Sequence, residues 1–259
     1  MLAVVPEIAG VTASLGLQAE LETMDESIKE LETGDSHRRR WRRNPLLALC
    51  EFGAIALIFW ADAHHHIYLS KTLYLFPLAW FSLWLRGLRW TDLGLVRFQN
   101  WRKTVLVGVS CGVAMELFEL YMSQPILTRW TGKAPDLELF RALHGNVTWT
   151  LIAMAGTWTL AAFGEEMVYW GYFMNRVTDL MRPNRTAWIV SLVVVSCAFG
   201  ASHIDQGITG QLENVVDGVF LGAIYLSCRR NLSVSIVAHG VADTLDVLLL
   251  FFGLYPTLR

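Results

Sequence analysis

Seven apolar segments, separated by polar or charged stretches, constrain this chain more than any other feature. Apolar residues make up 54% of the 259 residues and charged residues only 17%, which is too apolar for an ordinary soluble domain. Most segments are close to the ~20 residues that an α-helix needs to cross a bilayer. We therefore expect an all-α polytopic membrane helix bundle of about seven transmembrane helices, within a range of roughly six to eight. The predicted spans are Pro45–Ala61, Ile67–Leu85, Thr104–Met122, Val147–Met174, Ala187–Ser202, Ile208–Cys228 and Leu232–Phe252.

The lysines and arginines indicate the orientation of this bundle. Most of the 21 fall in the N-terminal segment and in the loops that would share its side of the membrane, and such residues concentrate on the cytoplasmic side. A basic run, His37 to Arg43, directly precedes the first span and follows an acidic stretch. We expect residues 1–44 to be a cytosolic acidic tail that ends in a basic anchor, and residues 45–259 to be the membrane domain. Nucleic-acid binding by the basic run is disfavoured by the acidic tail beside it.

Ionisable residues interrupt three of the apolar segments. Glu165 and Glu166 lie in the fourth, His203 closes the fifth, and the last carries His239 with Asp243 four residues later. Adjacent positions on a helix point about 100° apart, so one acid can face a cavity while the other bonds to a neighbouring helix. Ionisable groups in hydrocarbon are costly and need one another, water or a metal.

The depths of these groups along their predicted helices do not agree. At 1.5 Å per residue, Glu165, His203 and His239 lie about 14, 24 and 10 Å from the inner ends of their spans. A shared site requires similar depths, so the fifth span must begin later than Ala187 or its neighbours must tilt.

Water activation is the chemistry that suits this set. A carboxylate and an imidazole can orient and deprotonate a water for attack on a carbonyl carbon, and groups on another helix can stabilise the oxyanion. Two histidines with carboxylates also suit zinc with an open coordination position. The spacing leaves both alternatives open, so the cofactor prediction is none or zinc, with His203, His239, Glu165 and Asp243 as ligands if a metal is used.

Further acids occur in the membrane segments. Glu116 and Glu119 are three residues apart in the third, and Glu213 and Asp217 are four apart in the sixth. We expect them to form structural pairs or to line the same water-filled cavity.

The order of these motifs resembles the CPBP family, the CAAX-processing and bacteriocin-processing intramembrane proteases that include the Ras-converting prenyl endopeptidase. The chain reads Glu165-Glu166, then Phe199 to His203, then His239 to Asp243. The resemblance covers about 147–252. One position departs from the pattern, because Trp170 stands where the family's first motif has arginine.

The resemblance implies roles for the motif residues. Glu165 would be the water-activating base with His203 as its partner, and Glu166 would take the second-acid position. His239 and Asp243 would polarise the scissile carbonyl or bind metal.

We expect a multi-pass protein of a prokaryotic inner membrane, and the placement of lysine and arginine puts its N-terminus in the cytoplasm. By the resemblance, its function would be endoproteolysis of a membrane-associated protein or peptide, with membrane lipids as further partners and no nucleic acid. The motifs alone do not require a prenylated substrate. One alternative is a non-catalytic family member that acts as an immunity or scaffold protein. A second is a proton-coupled transporter, which the lack of an internal repeat disfavours.

Overall fold

A computed structural model describes residues 44–67, 70–96, 100–181 and 183–256. Apart from Asn44, the predicted cytosolic tail at 1–44 lies outside the described residues, as does the basic run. The described residues form helices and turns without any strand, which confirms the all-α prediction. The main helices are α1 Pro45–Ala63, α2 Thr72–Arg86, α3 Trp101–Thr131, α4 Val147–Leu180, α5 Arg185–Ala201, α6 Gly207–Ser227 and α7 Leu232–Phe251.

Each of the seven predicted spans coincides with one of these helices, but the helices differ in length. By length and apolar content, α1, α3, α4 and α7 can each cross a membrane. Helices α5 and α6 meet at a 65° bend and make a fifth span if they are counted together. Helix α2 has 15 residues with Pro77 inside it, so at 1.5 Å per residue it is shorter than the ~30 Å hydrocarbon core.

Helices α3 and α4 contain wide π-helical turns, in which hydrogen bonds join residue i to i+5. They occupy Glu119–Ser123 in α3 and Thr157–Phe173 in α4. π-Turns are rare in proteins, but those that do occur are often found at functional sites. The longer one carries Glu165 and Glu166, whose neighbours therefore differ from those in a regular α-helix.

Large apolar side chains cover the outside of the bundle. They are exposed on α1, α3, α4 and α5, as expected of surfaces that face lipid. Examples are Leu57, Leu106, Trp130, Leu151 and Val193. Asparagines cap several of the helix starts through a side-chain oxygen that accepts a backbone N–H, namely Asn100, Asn146, Asn184 and Asn231.

Close packing and a loop contact position α7. A Cβ on Gly112 of α3 would clash with the carbonyl oxygen of Ala238 and lie 2.9 Å from Cβ of Val241. Only glycine therefore lets α3 approach α7 this closely. At the start of α7, the backbone N–H of Leu232 donates to the carbonyl oxygen of Gly94 at 3.0 Å. These contacts set the depth and rotation of the helix that carries His239.

A buried ion pair joins α1 to α2. Nη2 of Arg86 lies 2.6 Å from Oε2 of Glu51, and Nε donates to Oε1 at 3.1 Å. The hydroxyl of Ser82 donates to the same carboxylate. The two charged side chains are only 2% and 4% exposed, so the pair is a structural link within the bundle.

Candidate active site

Glu166 is fully buried and faces α7. Its Oε1 accepts a hydrogen bond from the indole Nε1–H of Trp170 at 2.9 Å and lies 3.1 Å from Nδ1 of His239. Its Oε2 has no hydrogen-bond partner among the described residues. The second acid of the pair therefore bonds to a neighbouring helix.

His239 lies between two carboxylates. Its Nδ1 contacts Glu166, and its Nε2 lies 3.5 Å from Oδ1 of Asp243, one turn further along α7. The second distance exceeds the range of a good N–H···O bond. Nδ1 is therefore held firmly, while Nε2 is directed toward the side of α7 on which Asp243 is partly exposed.

Glu165 faces a cavity that Glu166 does not line. Its side chain lines a cavity of about 380 Å³ and is only 7% exposed. His203, His239 and Asp243 line the same cavity. Four of the five predicted site residues therefore face one cavity, and Glu166 contacts His239 without lining it.

The ring of His203 hydrogen-bonds to the last turn of α5, the helix that precedes it. Its Nδ1 lies 2.8 Å from the carbonyl oxygen of Phe199, and a carbonyl can only accept, so Nδ1 carries the proton in this contact. In the neutral ring, Nε2 is then an unprotonated acceptor. The ring also packs edge-on against Phe199, with centroids 4.7 Å apart.

Phe199 separates the two histidines. Its ring packs edge-on against His239 as well, with centroids 6.2 Å apart. The hydroxyl of Tyr169 donates to Oγ of Ser202 at 3.0 Å, and Ser202 donates to the Phe199 carbonyl oxygen at 2.7 Å. Sequence reasoning did not single out Tyr169 or Ser202, because neither stands out by charge.

The observed helix bounds move the depth of Glu165 toward that of His203 but not toward that of His239. Helix α4 continues to Leu180 instead of ending at Met174, so Glu165 lies further from the end of its helix than predicted. His239 still lies seven residues from the start of α7 at Leu232, about 10 Å at 1.5 Å per residue. The fifth helix starts at Arg185, two residues before the predicted Ala187, so a later start does not account for the shared cavity.

The predicted zinc ligands do not form a ready cluster. Nδ1 of His239 is taken by Glu166, and its Nε2 faces Asp243. Among the described residues, the three-ligand cluster within 4.8 Å is instead Glu116, Glu119 and Asp246. The predicted zinc ligands are thus not gathered as closely as these three acids, and the choice between a metal-free site and zinc stays a prediction.

The acids predicted as structural pairs lie at the same cavity. Glu119, Glu213 and Asp217 line it, together with Asp246. Glu116 is buried behind them, with 2% of its side chain exposed. The cavity therefore carries further carboxylates in addition to the predicted site residues.

Comparison with known proteins identifies the part of the chain that holds these motifs. Residues 147–245 match the family model described as type II CAAX prenyl endopeptidase Rce1-like. The matched stretch contains all five predicted site residues. No significant match was found among curated proteins or among solved structures.

Proposed function

We propose that this protein is an intramembrane endopeptidase that uses activated water, because residues 147–245 match the family model described as type II CAAX prenyl endopeptidase Rce1-like. The observation that carries the proposal is the single cavity lined by Glu165, His203 and His239. The family and the apolar helices make it an integral membrane protein with a CAAX-type protease domain. Its mechanism, its substrate and its orientation in the membrane are proposals.

Glu165 is proposed as the general base. It takes a proton from a water molecule, and the water oxygen attacks the carbonyl carbon of the scissile peptide bond. Nε2 of His203 accepts a hydrogen bond from the same water and orients it. When the C–N bond breaks, the proton held by Glu165 passes to the leaving amine nitrogen.

His239 is proposed to stabilise the oxyanion that forms in this step. Its Nε2–H is only loosely engaged by Asp243 at 3.5 Å, so it can donate to a developing negative charge in the cavity. Glu166 holds the opposite ring nitrogen at 3.1 Å. An ionised Asp243 would repel an oxyanion, so its role is to orient the imidazole before substrate binds.

Trp170 is compatible with the proposed catalysis, although it stands where the family's first motif has arginine. Its indole N–H donates to Glu166, which supplies one of the hydrogen bonds that an arginine at this position could make. It supplies no charge, and Glu166 retains one oxygen without a partner among the described residues. A non-catalytic scaffold or immunity role therefore gains little support from this substitution.

The substrate is proposed to be a membrane-associated protein or peptide, since the cavity lies within a bundle whose outer surface is apolar. The distribution of lysine and arginine supports a cytoplasmic N-terminus. A prenyl group on the substrate is a separate question that paired prenylated and unprenylated peptides would answer.

The test is cleavage of a quenched membrane-peptide library by the purified full chain in detergent or lipid. We expect cleavage to be lost in Glu165→Gln and His203→Ala and to survive in Glu138→Gln, an exposed acid paired with Arg141. A nitrogen-donor chelator selective for zinc should leave cleavage unchanged. Loss of cleavage that added zinc restores would favour the metal mechanism, and no cleavage by wild type or Trp170→Arg would reject the enzyme proposal.

A further inference from the structure

The structure brings together a compact group of three acids from two helices. Carboxylate oxygens of Glu116 and Glu119 on α3 and of Asp246 on α7 lie within 4.8 Å of one another. None of them belongs to the Glu/His set proposed for water activation. We propose that these three carboxylates bind one divalent cation of the calcium type.

The three carboxylates are close enough together to share one ion. Their oxygens lie within 4.8 Å of one another, and calcium binds six to eight oxygens at 2.3–2.6 Å in a flexible geometry. Carboxylate oxygen is the donor that hard cations prefer, whereas zinc sites usually include nitrogen or sulfur.

The buried carboxylate of Glu116, whose oxygens have no partner among the described residues, is a second observation that favours a bound cation. Its side chain is 2% exposed, and neither carboxylate oxygen has a hydrogen-bond partner among the described residues. Oδ1 of Asp246 and Oε1 of the buried Glu213 also have no hydrogen-bond partner among the residues that the structure describes. Buried polar atoms are nearly always paired, and a shared cation would satisfy several of these oxygens together.

The excess of negative charge around the cavity also favours a bound cation. Glu119, Asp217 and Asp246 line it, but none of its described lining residues is a lysine or an arginine. The basic side chains that line it are His203 and His239, and His239 already lies between Glu166 and Asp243. The protein itself thus supplies little positive charge to the three carboxylates.

A cation here would also act on the fold. Because its ligands come from α3 and α7, it would hold together the two helices that pack through Gly112. The competing explanation is that the carboxyl groups are protonated and bond to one another. The protonated state requires no metal, so a measurement of cation binding distinguishes between the two explanations.

The test measures calcium binding directly and does not depend on peptidase activity. The full chain, purified in detergent and stripped of divalent ions, is titrated with radioactive Ca²⁺ by equilibrium dialysis, and its melting temperature is recorded with and without Ca²⁺. We expect one ion per chain, a higher melting temperature with Ca²⁺, and at least tenfold weaker binding in Glu116→Gln and Asp246→Asn. The surface variant Glu138→Gln and the site variant His203→Ala should bind as wild type does.

Three results would overturn the proposal. They are no calcium binding by wild type, binding unchanged in both Glu116→Gln and Asp246→Asn, and binding lost in His203→Ala but kept in Glu116→Gln. The last would place the ion among the histidines. If Glu116→Gln does not fold, Asp246→Asn decides, because Asp246 is less buried.

Discussion

The indole N–H of Trp170 donates to the carboxylate of Glu166, and the same carboxylate oxygen contacts Nδ1 of His239. Trp170 is fully buried, so its ring also fills the core between α4 and the α5–α6 pair. Gly222 of α6 makes room for it, since a Cβ there would lie 3.0 Å from the ring. One side chain therefore links core packing to the orientation of a site histidine.

Replacing Trp170 by Phe should lower kcat about tenfold with little change in KM. The substitution keeps an aromatic ring but removes one of the two polar contacts of Glu166 Oε1, and a hydrogen bond of this kind is worth about 0.5–1.5 kcal/mol. The matched control is Trp158→Phe, because Trp158 donates its N–H to Thr244 outside the Glu166 contact. Equal losses in both variants would show that Trp170 acts through packing alone.

Phe199→Leu should reduce cleavage and leave folding largely intact. The ring packs edge-on against both His203 and His239, and leucine fills part of the volume without holding either imidazole. We expect kcat to fall by about tenfold while the melting temperature drops by several degrees, because a buried large-to-small exchange also leaves a small cavity. Steady-state kinetics and thermal unfolding on the same preparation test this split, and a loss of stability with normal kcat would contradict it.

Gly112→Ala should destabilise the protein and impair cleavage together. The added methyl would clash with the backbone of Ala238, next to His239, and overpacking of this kind costs about 1–3 kcal/mol. Gly53→Ala on α1 is the control, because a Cβ there meets no atom within 4 Å. Thermal unfolding in detergent should separate the two variants by several degrees.

Glu51→Ala should be among the most destabilising single changes in the bundle. It leaves the buried Arg86 without the carboxylate that it contacts at 2.6 Å, and breaking a buried ion pair costs about 3–5 kcal/mol. Glu138→Ala breaks the exposed pair with Arg141 and should cost about 0–1 kcal/mol. Unfolding free energies that are equal for the two variants would contradict this prediction.

The sequence predicted the membrane helices and the five motif residues because both depend on local information. An apolar segment near 20 residues long has to become a helix in a bilayer, since each backbone polar group must find a partner there. Ionisable side chains inside such segments are recognised in the sequence because burying them in hydrocarbon is energetically costly. The seven segments, Glu165, Glu166, His203, His239 and Asp243 could therefore be named without a structure.

Partners across helices could not be predicted in this way. The contact of Glu166 with His239, and the meeting of Glu116 with Asp246, depend on how each helix is rotated and how deep it lies. Those quantities are set by contacts far apart in sequence, such as Gly112 against Ala238 and Gly94 against Leu232. The π-turns of α4 also change which side chains share a face, and no spacing rule based on 3.6 residues per turn anticipates them. The sequence by itself determined a membrane bundle with a set of catalytic candidates, and only the tertiary structure decided which of them face one cavity.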